Sequence, residues 1–462
     1  MQRASADQLK VTAKVSGYGK PIYVICIILL FLTFLPQYTV AYDIFDVYTI
    51  ALKQDPRFLG AQYGHEASKE TLRQAWAGLL PTLSAEGAHT ETDQTIVSSD
   101  NTVFGQGSSA FPTDEYSLSL TQPVFNYATY MNVLRAKAEV RGADMELEVA
   151  KQDLIIRIAE AYLGVLAASD NLAFAQTEET AVSRQHDLVK SKFEMGLAPK
   201  TDYLDARARI SETAANRIAA KSDLDDALQS LHEITGREIV HIASLRDDLP
   251  LVTPDPDDVD SWIDAAIRQN PSLAVQREVV EASRQEIRRQ RAGHYPRVDL
   301  EANQTWRETE GTLFGGGSEV ETMNYLIRLS VPIFQGGLVQ SRTREVLNLY
   351  RAALQEEERQ GRELKRGTRA AYFGVKSAIE RVRALSEALK SQILALEAKE
   401  SGYKAGLFTV IAVLDAERDL YLARQDYARA RYDYILNSLR LRQAVGTLSG
   451  NDIEMINSWL VN

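Results

Sequence analysis

One pattern runs through this chain twice. The segment "ALKQDPRFLG" from Ala51 returns as "AIRQNPSLAV" from Ala266, which sets Pro56 on Pro271 and, further on, Pro81 on Pro296. After a slip in register, "LTQPVF" ending at Phe125 matches "LSVPIF" ending at Phe334. "AYLGVLAA" from Ala161 then pairs with "AYFGVKSA" from Ala371, and Gly236 and Gly446 each close a long helical run. A duplication defines the structural unit before any local reading begins. That unit reads helix, two strands, a very long helix and a shorter helix.

Residues 1–41 read as a signal peptide outside the folded protein. Arg3, Lys10, Lys14 and Lys20 precede an apolar run from Ile22 to Leu35, and Thr39-Val40-Ala41 supplies small residues for cleavage. The run is short and its basic flank lies on one side, which fits a secretory leader better than an uncleaved anchor. Cys26, the one cysteine, lies inside that run, so the mature chain has no thiol for disulfides or metals. Removing the leader takes four basic residues and Asp7, a net +3, and moves the formal charge from -11 to -14. So acidic a chain is a poor nucleic-acid binder. No later apolar stretch suits a transmembrane helix, so strands must carry any membrane insertion.

Asp55-Pro56 and Asn270-Pro271 are matched helix starts, an Asx cap followed by proline at the first helical position. Strands are expected at about 82–98, 115–125, 296–308 and 323–334, where apolar residues alternate with polar ones. Tyr325, Ile327, Leu329 and Val331, for example, alternate with Asn324, Arg328 and Ser330. Such alternation fits a barrel wall between lipid and water and also a soluble half-buried hairpin. The connections from Val97 and from Arg307 are polar and rich in Gly and Ser, and are read as outer loops.

Long helices are expected at about 128–194 and 337–405, each followed by a shorter one at about 199–235 and 409–445. A helix of the longer kind spans roughly 100 Å, several times a bilayer core. Ala371, Val375, Ala378, Val382, Leu385 and Leu389 make a heptad-like seam, which predicts coiled-coil packing with the neighbouring arm. The reversals at Gly196 and Gly406 make antiparallel hairpins. The first repeat is thus assigned to residues 42–258 and the second to 259–462, joined by an irregular linker near "VTPDPDDVD" from Val252.

With these features in place, the sequence resembles the TolC family of outer-membrane channel-tunnel proteins, and its type I secretion branch most. The likeness rests on "GHYPRVDLEA" from Gly293, "SVPIFQGGLVQS" from Ser330, the long run from Leu414 and the duplication, over about Tyr42 to Leu460. It implies an α+β membrane protein: a homotrimer whose protomers give four strands each to a twelve-stranded barrel, continued by an α-helical barrel of coiled-coil hairpins in the periplasm. The strand count supports closure by several copies, since four strands leave edges in lipid.

The resemblance also places a periplasmic gate at the reversals. Asp415 falls on an acidic ring position, whereas Ala412 stands where the family has a second acid. Asp202, Thr201 and Tyr403 match a restraining network, but Phe408 replaces its arginine. An Asp202–Tyr403 contact and packing of Phe408 are therefore expected to hold closure. Asp205 is a further candidate, with plain stabilisation of a helix N-terminus as the competing reading for both Asp202 and Asp205. Gly196, Leu197, Gly406 and Leu407 match the grooves that receive a periplasmic adaptor, although helix C-capping alone explains the glycines.

The expected role is a passive conduit for type I protein secretion, small-molecule efflux or both, working with a membrane-fusion adaptor and an ABC or RND-type inner-membrane transporter. A periplasmic hairpin adaptor is the alternative, opposed by the paired amphipathic strands. A receptor role for the loops near Gly105 and Gly315 is secondary. No catalytic, cofactor or metal constellation is present in the sequence, and the six histidines are scattered.

Overall fold

The computed structural model describes residues 41–98, 100, 107–312 and 315–461. All of the expected leader but Ala41, with Cys26, lies outside them, as does Gly105.

Each repeat opens with two helices: α1 (Ile44–Gln54) and α2 (Pro56–Ala77) in the first, with α5 (Val259–Gln269) and α6 (Pro271–Arg291) in the second. The proline junctions are capped as the sequence predicts. Asp55 accepts the Phe58 amide at 2.6 Å, and Asn270 accepts that of Leu273 at 3.1 Å. Both caps also tie distant helices. Arg157 donates two bonds to Asp55, at 2.8 and 3.0 Å, and Asn270 donates to the Ala444 carbonyl at 3.0 Å.

Strands β1 (Thr82–Ile96), β2 (Gly107–Phe125), β4 (Arg297–Thr312) and β5 (Gly315–Ser330) form one antiparallel sheet in the order β1-β2-β4-β5. Four of these limits correct the sequence reading. β2 begins at Gly107 rather than near 115, β4 runs to Thr312 rather than about 308, and β5 spans Gly315–Ser330 rather than about 323–334. Most of the polar segment from Arg307, and Gly107–Thr113 of the one from Val97, is ladder. Hydrogen bonding between backbones continues past the apolar band, because it does not need the alternation that marks the band.

Cross-strand register puts Tyr116 opposite Trp306, Leu120 opposite Ala302, and Ala302 opposite Tyr325. On that face Tyr325, Ile327 and Leu329 are 75%, 73% and 65% exposed. The other face carries ion pairs: Arg307 with Glu115, and Arg328 with Glu301 at 2.9 Å. Exposed apolar side chains over a polar, paired interior face invert the soluble pattern and suit a wall turned to lipid. β1 and β5 are left as the edges of the sheet.

Below the sheet run two hairpins of closely matched length. α3 (Tyr127–Glu194) and α7 (Leu338–Lys404) contain 68 and 67 residues; α4 (Lys200–Thr235) and α8 (Val410–Val445) contain 36 each. α4 and α8 end where the next segments begin. A Cβ on Gly446 would lie 2.7 Å from Pro271 Cδ, and one on Gly236 would lie 3.3 Å from the Gln54 side chain. The short helices therefore abut end to end beside the long ones.

The main core lies at these junctions and contains Leu154, Ile158, Tyr162, Ile379, Tyr434 and Ile435. The Tyr162 hydroxyl donates to the Ala243 carbonyl at 2.8 Å, and burial raises its pKa far above that of a free phenol. Tyr162 and Tyr372 act as packing residues, both being buried. A two-stranded sheet of β3 (Ser244–Leu245) and β6 (Leu460–Val461), beside helix α9 (Gly450–Asn457), pins the C-terminal segment to the end of the first repeat. Among the described residues, no helix is long and apolar enough to cross a membrane.

Candidate functional site

The candidate residues lie at the two reversals, and helix termination explains their backbone. Gly196 and Gly406 both take φ of +75°, a left-handed conformation that suits glycine. In the first reversal the Leu197 amide donates to Lys192 O at 2.8 Å and the Gly196 amide to Phe193 O at 2.9 Å. In the second, Leu407 donates to Gly402 O at 2.8 Å and Gly406 to Tyr403 O at 3.0 Å. Each pair is a complete Schellman motif, which satisfies carbonyls that the helix end would otherwise orphan. The geometry turns Leu197 and Leu407 outward, at 73% and 79% exposure. Pro199 opens the first return arm without a side-chain cap, whereas Thr409 caps the second by accepting the Ala412 amide at 3.3 Å.

Between the hairpins lies a small apolar cluster of Val182, Val189, Ala206, Val410 and Leu414, with Tyr203, Ile210 and Tyr403 packed against it. Tyr203 stacks on Phe193, ring centroids 5.3 Å apart. Tyr403 is held by Lys192, whose ammonium donates to the hydroxyl at 3.1 Å and lies 4.6 Å from the ring centroid. This corrects the expected Asp202–Tyr403 contact. Within the chain, Asp202 instead accepts from the Thr201 hydroxyl at 3.4 Å, in the first turn of α4 where amide groups favour a carboxylate. Lys192 reaches the phenol from the end of α3, so the restraint crosses between hairpins through a cation rather than an acid.

Phe408 packs on its own hairpin, and its seat is Gly402. A Cβ at Gly402 would fall 2.4 Å from Phe408 Cδ2, so the ring occupies the space that any side chain there would need. The ring stays partly exposed. Asp415 is half-exposed on α8 with Arg418 3.7 Å away, so a cation one turn on accompanies its charge. Asp205 is exposed on α4. Ala412 serves in the first turn of α8 as the residue that Thr409 caps.

Lys192 and Gly402 were not legible as site residues. They do hold equivalent positions, four residues before each reversal glycine, and that equivalence was the available signal. Among the described residues, no group of three His, Cys, Asp or Glu side chains could hold a metal ion.

The family model for outer membrane efflux proteins matches residues 47–237 and 262–447. "Outer membrane protein TolC" of Vibrio cholerae is 31% identical over 424 residues, covering 91% of this chain and 94% of that one. "Alkaline protease secretion protein AprF" of Pseudomonas aeruginosa is 30% identical over 432 residues, covering 92% and 89%. Among solved structures, the Campylobacter jejuni CmeC outer membrane channel superposes with a TM-score of 0.76 at 15% identity, over 90% of each chain. A duplicated hairpin fold, an inverted sheet and these matches meet in one conclusion: the chain belongs to the outer membrane efflux protein family, whose members are channels of the outer membrane and not enzymes.

Proposed function

We propose that three copies close a twelve-stranded barrel through their β1 and β5 edges, and that the helical hairpins continue it as a periplasmic tunnel. The observation that carries this reading is the four-stranded sheet with an exposed apolar face and two open edges. Unpaired backbone in hydrocarbon is costly enough that a lone protomer is not a stable membrane species. Three protomers leave a lumen where two would give a narrow, side-chain-filled barrel. The adaptor alternative has no use for such a wall.

The conduit is passive and serves type I secretion, efflux or both, in step with relatives named for TolC and for alkaline protease secretion. It takes its energy and its cargo choice from an inner-membrane transporter, through a periplasmic adaptor. Gly196, Leu197, Gly406 and Leu407 are the proposed docking tips, because two exposed leucines on identical turns offer an adaptor repeated apolar contacts. Phe408 on Gly402, with Lys192 on Tyr403, holds the tunnel closed, and Asp415 contributes charge near its mouth. Thr201, Asp202 and Asp205 line the same end.

The test is a heat-modifiable band in the outer-membrane fraction, with its mass measured in detergent. A trimer is expected, and a stable monomer or dimer would sink the reading. Crosslinking in cells from Cys introduced at Gly196 or Gly406 should then capture an adaptor.

A further inference from the structure

Above the reversals, a cavity of about 150 Å³ lies at the seam between the two hairpins. Phe174, Leu396 and Leu420 give it apolar walls, and three carboxylates open into it: Glu178 from α3, Glu400 from α7 and Glu417 from α8. Glu178 has a side chain only 2% exposed. One of its oxygens accepts from Arg209 of α4 at 2.9 Å, but its Oε2 is buried without a partner. Arg209 is shared with Glu212 at 2.7 Å, and its Nε is itself buried without a partner, so it does not reach the second oxygen of Glu178. The Oε2 of Glu417 is buried and unpartnered as well. Tyr421 and Arg424 also line it from α8, and Thr177 and Ala181 from α3.

Two orphaned carboxylate oxygens in one cavity lack a donor, and a proton on either would supply it. We propose that Glu417 is a proton-operated tie between the hairpins: its protonated carboxyl bonds across the cavity to the carboxylates there, and losing the proton sets like charges against each other. No covalent step is involved, only transfer of a proton between the carboxyl and water.

Burial is the main force on this carboxyl, with the charges of Glu400 and Glu178 next and Arg209 opposing them. Together they push Glu417 up from 4.5 to about 7. Burial likewise raises Glu178. A carboxyl that holds its proton more tightly when folded adds stability that is complete below about pH 4.5 and lost as the pH rises through about 7. The tie therefore tightens in acid and slackens in mild alkali.

This inference rests on the channel reading, since a seam between hairpins matters functionally only in a wall that opens. The experiment is single-channel recording of the assembled protein in planar bilayers, from about pH 5.5 to about pH 8.5. The open fraction of the wild type should rise about tenfold across that range, as expected if one proton-linked step biases closure. Glu417→Gln cannot titrate yet keeps a donor, so it should hold the acid value throughout. Glu400→Gln removes the foremost like charge and should move the midpoint to lower pH. A purely structural role would alter the open fraction without moving the midpoint. A conducting channel with a flat wild-type response, or a Glu417→Gln variant that keeps the wild-type response, overturns the inference alone. A preparation of folded trimers that never conducts overturns the channel reading and this inference together.

Discussion

The two reversals share a backbone and differ in what they carry. Both are Schellman turns with glycine at the same φ, a leucine turned to solvent and a return arm of 36 residues. In the first, position four before the glycine is Lys192, which reaches across to Tyr403 of the other hairpin. In the second, that position is Gly402, left bare so that Phe408 of its own turn can lie on it. One turn is fastened to its neighbour and the other is packed on itself. Duplication has thus kept the device that makes the tip and freed the side chains that restrain it, which is the division expected if tip shape and closure answer to different demands.

The largest effect expected from this comparison falls on the first hairpin. Arg209→Ala would strand the nearly inaccessible Glu178, at a cost of about 3–5 kcal/mol, read as a fall in the thermal midpoint of the trimer. A loss below 1 kcal/mol would show that water already reaches that seam.

Gly402→Ala comes next. The new methyl would overlap the Phe408 ring, and displacing it should cost about 1–3 kcal/mol and raise single-channel conductance. Lys192→Ala, at the equivalent position, loses one bond to a partly exposed tyrosine, about 1 kcal/mol or less, and should open the channel less. Equal conductance changes in the two variants would break the distinction between a fastened and a self-packed turn.

Gly196→Ala and Gly406→Ala should each cost about 1–2 kcal/mol, because both put a side chain into a left-handed residue. Calorimetry that found them unequal by more than that range would mean the turns are not energetically equivalent. The smallest effect separates the return arms. Thr409→Ala should lose about 1 kcal/mol of helix stability, while Pro199→Ala, with no side-chain cap to lose, should change little.

Much of the fold was legible because it is written in periodicity and punctuation. Pro56 and Pro271 mark helix starts, Gly196 and Gly406 mark reversals, and alternation through Tyr325, Ile327 and Leu329 marks a wall. The helices preceding those prolines, Ile44–Gln54 and Val259–Gln269, went unread, since an Asx-Pro cap marks the start of one helix and carries no signal about what precedes it. Strand limits went unread for a physical reason. Beyond the apolar band both faces of the sheet are polar, as at Glu319 opposite Glu308, so the side chains no longer report the ladder.

In the site, glycine positions could be read but partners could not. Lys192 meets Tyr403 across 211 positions of sequence, and such a contact follows from how two hairpins lie together rather than from any local spacing. Glu417 and Glu178 carry no local signal along their helices, and only the seam brings them together.

The matched arm lengths make this protein a ruler. With 68 residues against 67, and 36 against 36, neither repeat can change its count alone. A seven-residue deletion from both arms of one hairpin preserves its heptad phase but lifts that tip by about 10 Å, leaving a notched mouth. The same deletion made in both hairpins shortens the tube and keeps its rim level. Insertions and deletions in these helices are therefore tolerable only as matched pairs, and the length of the chain is a stricter inheritance than its composition.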